Sequence, residues 1–183
     1  MDSNGTDIII VAGGNSLRDF DFGKLQDKIV IAINESIHFV PFAPYFFACD
    51  RDFFTKKCSI NGFDDHKEVF RKYRGIAISR NGPAMTLKYN PPLPANSGLI
   101  ALQFAIDLKP DRIFLLGYDM KRTKYAHFYD IIPIAYQNYF KVIIPRFDLL
   151  KYDCKIYNVT NDSALECFEK MSFKDFDIIL NEK

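Results

Sequence analysis

The sequence predicts an α/β protein in which residues 1–183 form one domain, built on a mostly parallel sheet with helices on both faces. Short, continuous apolar runs rich in β-branched residues recur along the chain, as is typical of strands buried on both faces of a parallel sheet. Polar residues or glycines follow directly where these runs end. The 183 residues, 48% of them hydrophobic, suit one domain with a full core, and no internal repeat divides them.

Three strands are predicted in the first third of the chain, over residues 7–12 (DIIIVA), 28–33 (KIVIAI) and 45–49 (YFFAC). Residues 17–22 predict a short helix or an irregular crossover between the first two strands. Because ligands of open α/β sheets bind at the carboxyl ends of the strands, we expect the polar residues that follow these strands to converge at one edge. Those residues are Asn15, Ser16, Asn34 and Asp50.

The middle of the chain predicts an amphipathic helix over residues 64–73 and a fourth strand over residues 75–79. Residues 80–95 are expected to form a loop or lid over the site, because the NPPLP run at residues 90–94 removes backbone donors and disfavours regular structure.

The clearest helix start is Asn96-Ser97-Gly98, where either Asn96 or Ser97 suits the N-cap position. The run that follows, residues 99–108, is apolar nearly all round, which predicts a buried helix. A fifth strand over residues 112–116 then ends at Gly117-Tyr118-Asp119.

The last third predicts fewer elements. Residues 121–130 are basic and aromatic and follow the fifth strand directly. Residues 134–150 have roughly helical spacing, which Pro145 is expected to interrupt. A last strand is predicted over residues 155–159 and a short helix over residues 163–168, with no further site signal in the tail.

Two glycine-containing turns can each be interpreted in two ways. Gly13-Gly14-Asn15-Ser16 suits a tight turn, or a turn whose backbone N–H groups and side chains bind an anion. The helix start at residues 96–98 suits a plain N-cap, or a phosphate site in which Ser97 donates and Gly98 allows close approach. Neither turn has the spacing of a dinucleotide-binding or P-loop motif.

Asp119 and His127 are the candidate catalytic residues. Asp119 could act as a general base, bind ribose or a metal, or cap the next turn. His127 is the best acid–base candidate of three histidines, because Tyr125, Tyr129 and Asp130 could orient it, although a structural role is also open. Lys121 belongs to a basic run that usually faces solvent, but its place after a strand favours phosphate contact slightly.

Composition excludes several classes of protein. A net charge of +1 argues against binding nucleic acid through bulk charge. No apolar run approaches the roughly 18 to 20 residues that span a bilayer, and the acidic N-terminus does not suit a signal peptide. The four cysteines lack metal-site spacing, so we expect reduced structural thiols and a cytoplasmic protein.

Several motifs together resemble bacterial sialyltransferases of the lipooligosaccharide type and related 6-hydroxymethylpterin diphosphokinase-like proteins, many of them from phages. These motifs are VAGGNSL at residues 11–17, the strands ending in Asn34 and Asp50, the NSG helix start, and LLGYDM at residues 115–120. The closing segment at residues 155–173 also resembles those relatives.

The resemblance implies a Rossmann-like nucleotide-binding domain that binds CMP-sialic acid and needs no metal for chemistry. It implies that residues 14–16 meet the nucleotide phosphate or ribose, that Asn34 contacts the cytidine or the donor sugar, and that Tyr118 and Tyr125 lie near phosphate-binding tyrosines. Residues 126–130 resemble a His-aromatic-x-Asp stretch of the phage relatives. We expect His127 and Asp119 to be catalytic, no metal ligand, and as nucleotide-binding residues Gly13, Gly14, Asn15, Ser16, Asn34, Asp50, Asn96, Ser97, Gly98, Gly117, Tyr118 and Tyr125.

The leading hypothesis is a nucleotide-dependent transferase, a sialyltransferase-like glycosyltransferase using a nucleotide-sugar donor, with CMP-type ligands favoured and no cofactor required. The alternative is a pyrophosphokinase of the 6-hydroxymethylpterin diphosphokinase type, which should need Mg²⁺ and carboxylates such as Asp50, Asp52 and Asp119. A third hypothesis is a phage nucleotide- or sugar-binding protein without catalysis. No nucleic-acid partner and no membrane span are expected, and association into a homo-oligomer stays open.

Overall fold

Eight strands form one sheet within residues 6–49, 53, 60, 65–79, 86–93, 96–121, 123–125, 127–130, 140–160 and 162–182, which the computed structural model describes. In chain order the strands are β1 (Asp7–Val11), β2 (Val30–Ile33), β3 (Tyr45–Phe47), β4 (Ile76–Ser79), β5 (Leu87–Lys88), β6 (Arg112–Leu116), β7 (Lys155–Asn158) and β8 (Glu169–Lys170).

The strand order is β5-β4-β3-β2-β1-β6-β7-β8, and every neighbouring pair is parallel. The chain therefore builds outwards from β1 to β5 and then returns to the other side of β1, where it adds β6, β7 and β8. The order reverses between β1 and β6, which makes the carboxyl ends of these two strands the topological switch point of the sheet. The predicted fold class, a Rossmann-like α/β domain, is confirmed.

In the described part of the chain, the sheet is covered by the α-helices α1 (His66–Lys72), α2 (Ser97–Asp107), α3 (Phe140–Phe147) and α4 (Phe173–Asn181). Successive residues of β1 face opposite sides, as a strand requires. Ile8 and Ile10 pack in the layer that contains α2 and α3, whereas Ile9 and Val11 pack in the layer that contains α1 and α4. The prediction of helices on both faces is therefore confirmed. Within the described residues, no helix has the length and apolar character needed to cross a membrane.

Three sequence-based expectations differ from the structure. Residues 163–168 are not helical, because Ser163 Oγ accepts the N–H of Leu165 and the N–H of Ala164 donates to Asp119 across the sheet edge. Pro145 lies inside α3 and does not end it. Proline has no N–H to donate to the carbonyl oxygen of Lys141, four residues earlier, but Lys141 is exposed, so water can take the place of that donor. Part of the expected lid, Leu87–Lys88, is edge strand β5, and residues 80–85 and 94–95 lie outside the described residues.

Helix α4, which the sequence did not predict, is attached to the sheet by Phe176. This side chain is fully buried, with its ring centroid 5.1 Å from that of Phe114 on β6. We expect Phe176→Ala to lower the free energy of unfolding by about 3–5 kcal/mol in urea denaturation, because it leaves a cavity in the core. Ile178 on the same helix is 50% exposed, so Ile178→Ala should change stability by less than about 0.5 kcal/mol. Equal effects of the two substitutions would contradict this placement of the helix.

Candidate functional site at the switch point

A cavity of about 490 Å³ lies at the carboxyl ends of β1 and β6. This is the position where open α/β sheets bind their ligands. Residues from the ends of β1, β2, β3 and β6 meet there with the first turn of α2. The predicted site residues that line the cavity are Gly13, Gly14, Asn15, Asn34, Asn96, Ser97, Gly98, Gly117, Tyr118, Asp119 and His127. Of the other residues expected from strand ends, Ser16 does not line this cavity and Asp50 lies outside the described residues.

The turns after β1 and β6 are in direct backbone contact. The N–H of Gly14 donates to the carbonyl oxygen of Gly117 over 2.9 Å. A Cβ on Gly14 would lie 2.6 Å from Asp119 Oδ1 and closer still to the Gly117 carbonyl, so only glycine fits there. Gly117 itself has a φ of +73°, a left-handed conformation that strains other residues. These glycines bring the two turns together.

Asp119 holds the turn after β1 through both of its carboxylate oxygens. Its Oδ2 accepts the N–H of Ser16 over 2.8 Å, and its Oδ1 accepts the Ser16 hydroxyl over 2.6 Å. The Asp119 residue is only 6% exposed. Because the carboxylate is committed to Ser16, the geometry favours a positioning role for Asp119 over its expected role as general base.

The first turn of α2 presents hydrogen-bond donors to the cavity. The side chain of Asn96 accepts the N–H of Leu99 over 2.9 Å, so Asn96 is the N-cap. The N–H groups of Ser97 and Gly98 have no partner within the helix, as at any helix start. The Ser97 hydroxyl makes no hydrogen bond to any residue the structure describes, which leaves it available to a ligand.

Tyr118 is hydrogen-bonded to the first turn of α2. Its hydroxyl donates to the carbonyl oxygen of Gly98 over 2.9 Å, and the whole side chain is buried. Burial raises the pKa of Tyr118 well above its usual range, so the phenol stays neutral. The hydroxyl is thus used in holding α2, which disfavours the direct phosphate contact that the resemblance implied for it.

His127 is fixed beside the turn after β1. Its Nδ1 lies 3.1 Å from Asp130 Oδ2, and the same oxygen accepts the His127 backbone N–H over 2.7 Å. The imidazole stacks on the ring of Tyr129 at 4.9 Å and 8°. A neutral imidazole that donates Nδ1–H to a carboxylate keeps its lone pair on Nε2. The backbone N–H of Phe128 donates to Gly13, which ties this segment to the turn.

Asn34 has an unusual conformation at the end of β2. Its φ is +51°, a left-handed value that asparagine tolerates better than most residues. Its Oδ1 is buried and has no hydrogen-bond partner among the described residues. An unsatisfied buried oxygen costs about 1–3 kcal/mol. Because this oxygen has almost no exposed surface, a ligand could satisfy it only after the Asn34 side chain rotates toward the cavity.

The chain matches no family model, no curated protein and no solved structure. The resemblance to sialyltransferases and pyrophosphokinases therefore stays a prediction. Within the described part of the chain, no three His, Cys, Asp or Glu side chains come close enough together to hold a metal ion. Two carboxylates of the expected Mg²⁺ cluster, Asp50 and Asp52, lie outside that part.

A second pocket of about 240 Å³ adjoins the cavity, and the expected site residue Ser16 lines this pocket instead of the cavity. It shares Asn15, Asp119, Lys121 and Thr123 with the cavity and adds Ser16, Thr160 and Asp162. Tyr125 lines neither space; its ring lies under the Arg18 guanidinium at 4.4 Å. Arg18 also donates to the carbonyl oxygen of Asp130 over 3.1 Å, which links the turn after β1 to the His127 segment.

Besides Ala12 and Ile33, which end the first two predicted strands, five residues that line the cavity were not among the expected site residues: Cys49, Met120, Lys121, Thr123 and Phe140. Two of them carried a signal. Cys49 is the last residue of the third apolar run, and Lys121 directly follows the GYDM motif, so both stand at strand ends. Met120, Thr123 and Phe140 follow β6 in the chain, and no pattern in the sequence indicated that they would line the cavity.

The two interpretations of Asp119 predict different effects for two substitutions. Asp119→Asn keeps groups that can bond to both the N–H and the hydroxyl of Ser16, so affinity for the nucleotides that the sequence predicts as ligands should stay within about threefold. Asp119→Ala leaves Ser16 without these bonds and should lower the free energy of unfolding by about 2–4 kcal/mol. Denaturation and calorimetric titration measure both effects. A complete loss of turnover in Asp119→Asn, with affinity retained, would restore Asp119 as the base.

Proposed function

We propose that the protein is a nucleotide-dependent transferase, a glycosyltransferase that uses a nucleotide-sugar donor, with cytidine nucleotides favoured. One observation carries the proposal. The first turn of α2 and the glycine turn after β1 line the same cavity at the switch point of a parallel sheet. Both are places where backbone N–H groups bind phosphate in such folds.

The cavity suits a nucleotide in size and in chemistry. Its volume of about 490 Å³ falls within the roughly 300–1,000 Å³ typical of small-molecule sites. The free N–H groups of Ser97 and Gly98, with the Ser97 hydroxyl, would bind the phosphate at the positive end of the helix dipole. The amide side chains of Asn15 and Asn34 would bind the ribose, the base or the donor sugar.

His127 would act as the general base of a direct displacement. The acceptor hydroxyl gives its proton to Nε2 of His127 as its oxygen forms a bond to the anomeric carbon. The bond from that carbon to the phosphate oxygen breaks, and its electron pair leaves with the nucleotide phosphate. Asp130 stabilises the imidazolium, and the donors at the start of α2 stabilise the charge on the leaving phosphate.

A thermal-shift screen tests the ligand class. The panel is CMP, CDP, UDP, GDP, ADP, ATP and CMP-sialic acid, each with and without Mg²⁺. We expect CMP or CMP-sialic acid to raise Tm without Mg²⁺, because a ligand that binds only the native state stabilises it by mass action. A shift confined to ATP with Mg²⁺ would favour the pyrophosphokinase alternative. No shift with any nucleotide would contradict the proposal.

Ser97 tests the phosphate site. Ser97→Ala should weaken CMP binding by about fivefold to tenfold in calorimetric titration, because it removes one hydrogen bond to a charged group. Ser172→Ala is the matched control, since it removes the N-cap hydroxyl of α4. It should lower stability by about 1 kcal/mol without changing CMP affinity. Equal affinities of Ser97→Ala and the native protein would remove Ser97 from the site.

His127 and Asp130 test the chemistry. His127→Gln should reduce donor turnover by about 10²–10⁴-fold while CMP affinity changes little, because the base is lost and the phosphate site remains. Asp130→Asn can still accept the His127 backbone N–H but no longer carries the charge that stabilises the imidazolium, so it should lower kcat more than it changes KM. Release of CMP from CMP-sialic acid gives the rate. Unchanged turnover in His127→Gln would exclude it as the base.

A further inference from the structure

Lys121 lines both the cavity and the second pocket. It is the single lysine or arginine among the described residues that line the cavity. Its ammonium forms an ion pair with the carboxylate of Asp162, in the second pocket. The cation that lines the cavity together with the start of α2 is thus bound to a carboxylate of this same chain.

The two partners differ greatly in exposure. The side chain of Lys121 is 29% exposed, whereas that of Asp162 is 90% exposed. An ion pair with a carboxylate so open to water contributes little free energy, because water solvates the charges about as well when they are apart. The lysine side chain is long and flexible, so its ammonium can move between partners at small cost.

We propose that Lys121 neutralises the phosphate of the bound ligand and that Asp162 competes with that phosphate for its ammonium. In the free protein Lys121 is bound to Asp162. When a phosphate enters the cavity, the ammonium moves from the carboxylate to the phosphate oxygens. This inference rests on the proposed nucleotide site, which supplies the phosphate.

The surrounding charges support this competition. The Lys121 ammonium holds the pKa of Asp162 below its usual range, with a smaller effect from Lys170, so the carboxylate is charged at neutral pH. Lys170 already donates to Glu166 over 2.7 Å and to the carbonyl oxygen of Ser163 over 3.0 Å. Asp119, which lines both spaces, is hydrogen-bonded to Ser16. Among the described residues that line the cavity, Lys121 is therefore the cation that can exchange an exposed carboxylate for a phosphate.

A double-mutant cycle tests the competition, with CMP as the probe in calorimetric titration. Asp162→Asn should raise CMP affinity about threefold, because it frees the ammonium and removes a negative charge beside the cavity. Lys121→Gln should lower CMP affinity about tenfold. In the Lys121→Gln background, Asp162→Asn should change affinity by less than twofold. Cytidine, which has no phosphate, should bind all four proteins equally.

Glu68→Gln is the matched control. Glu68 forms an ion pair with Arg71 on α1 and lines neither space, so this substitution makes the same charge change elsewhere and should leave CMP affinity unchanged. Because the Asp162 ion pair is exposed, Asp162→Asn should also leave Tm within about 2 °C of the native value. This separates the expected gain in affinity from any change in folding.

The outcomes separate this inference from the proposed function. If the native protein binds CMP and Asp162→Asn fails to raise affinity, or the two substitutions are additive, the inference is wrong and the nucleotide site stands. If the native protein binds none of the nucleotides, the proposed function is wrong. In that case the same double-mutant cycle is measured with inorganic pyrophosphate, and tighter binding by Asp162→Asn would support phosphate binding by Lys121. If pyrophosphate does not bind, phosphate binding by Lys121 is also wrong.

Discussion

The close approach of the turns after β1 and β6 is the constraint on which the site depends. The Gly14–Gly117 backbone bond joins the two turns, and Asp119 fixes Ser16 between them. At the opposite end of the same strand pair, the Arg112 guanidinium donates twice to the Asp7 carboxylate, over 2.8 and 2.7 Å. Hydrogen bonds therefore join β1 and β6 at both ends of the strand pair, and the cavity lies at the carboxyl end.

The central sheet could be predicted from the sequence because its strands are buried on both faces. Such strands must be apolar throughout, so β1 and β6 stand out as continuous runs, and the parallel order then places their ends at one edge. β5 and β8 could not be found this way, because two residues contain no periodicity. The non-helical path of residues 163–168 depends on bonds to the end of β6, which lies far away in sequence.

Eleven of the expected site residues line the cavity, but what each could do there could not be predicted from the sequence. A polar residue after a strand must lie at the carboxyl edge, whatever it does there. Whether it can act on a ligand depends on what its polar atoms already bind, and that is settled by distant residues. Asp119 and Tyr118 are committed to Ser16 and Gly98, whereas the Ser97 hydroxyl is available. In the sequence, Asp119, Tyr118 and Ser97 carry the same signal, a polar residue at the end of a strand or the start of a helix.

Uncommitted polar groups link ligand binding to the stability of the fold. The left-handed backbone and the buried, unpaired Oδ1 of Asn34 both cost free energy in the free protein. The surrounding sheet holds them, since β2 lies between β1 and β3. On the proposed function, a ligand that draws the Asn34 side chain toward the cavity and donates to this oxygen would recover part of that cost, while one that only accepts hydrogen bonds would recover none. Asn34 would then favour ligands that donate beside the strand ends and accept at the start of α2, a pairing that a hydroxylated sugar or an amino-bearing base joined to a phosphate supplies.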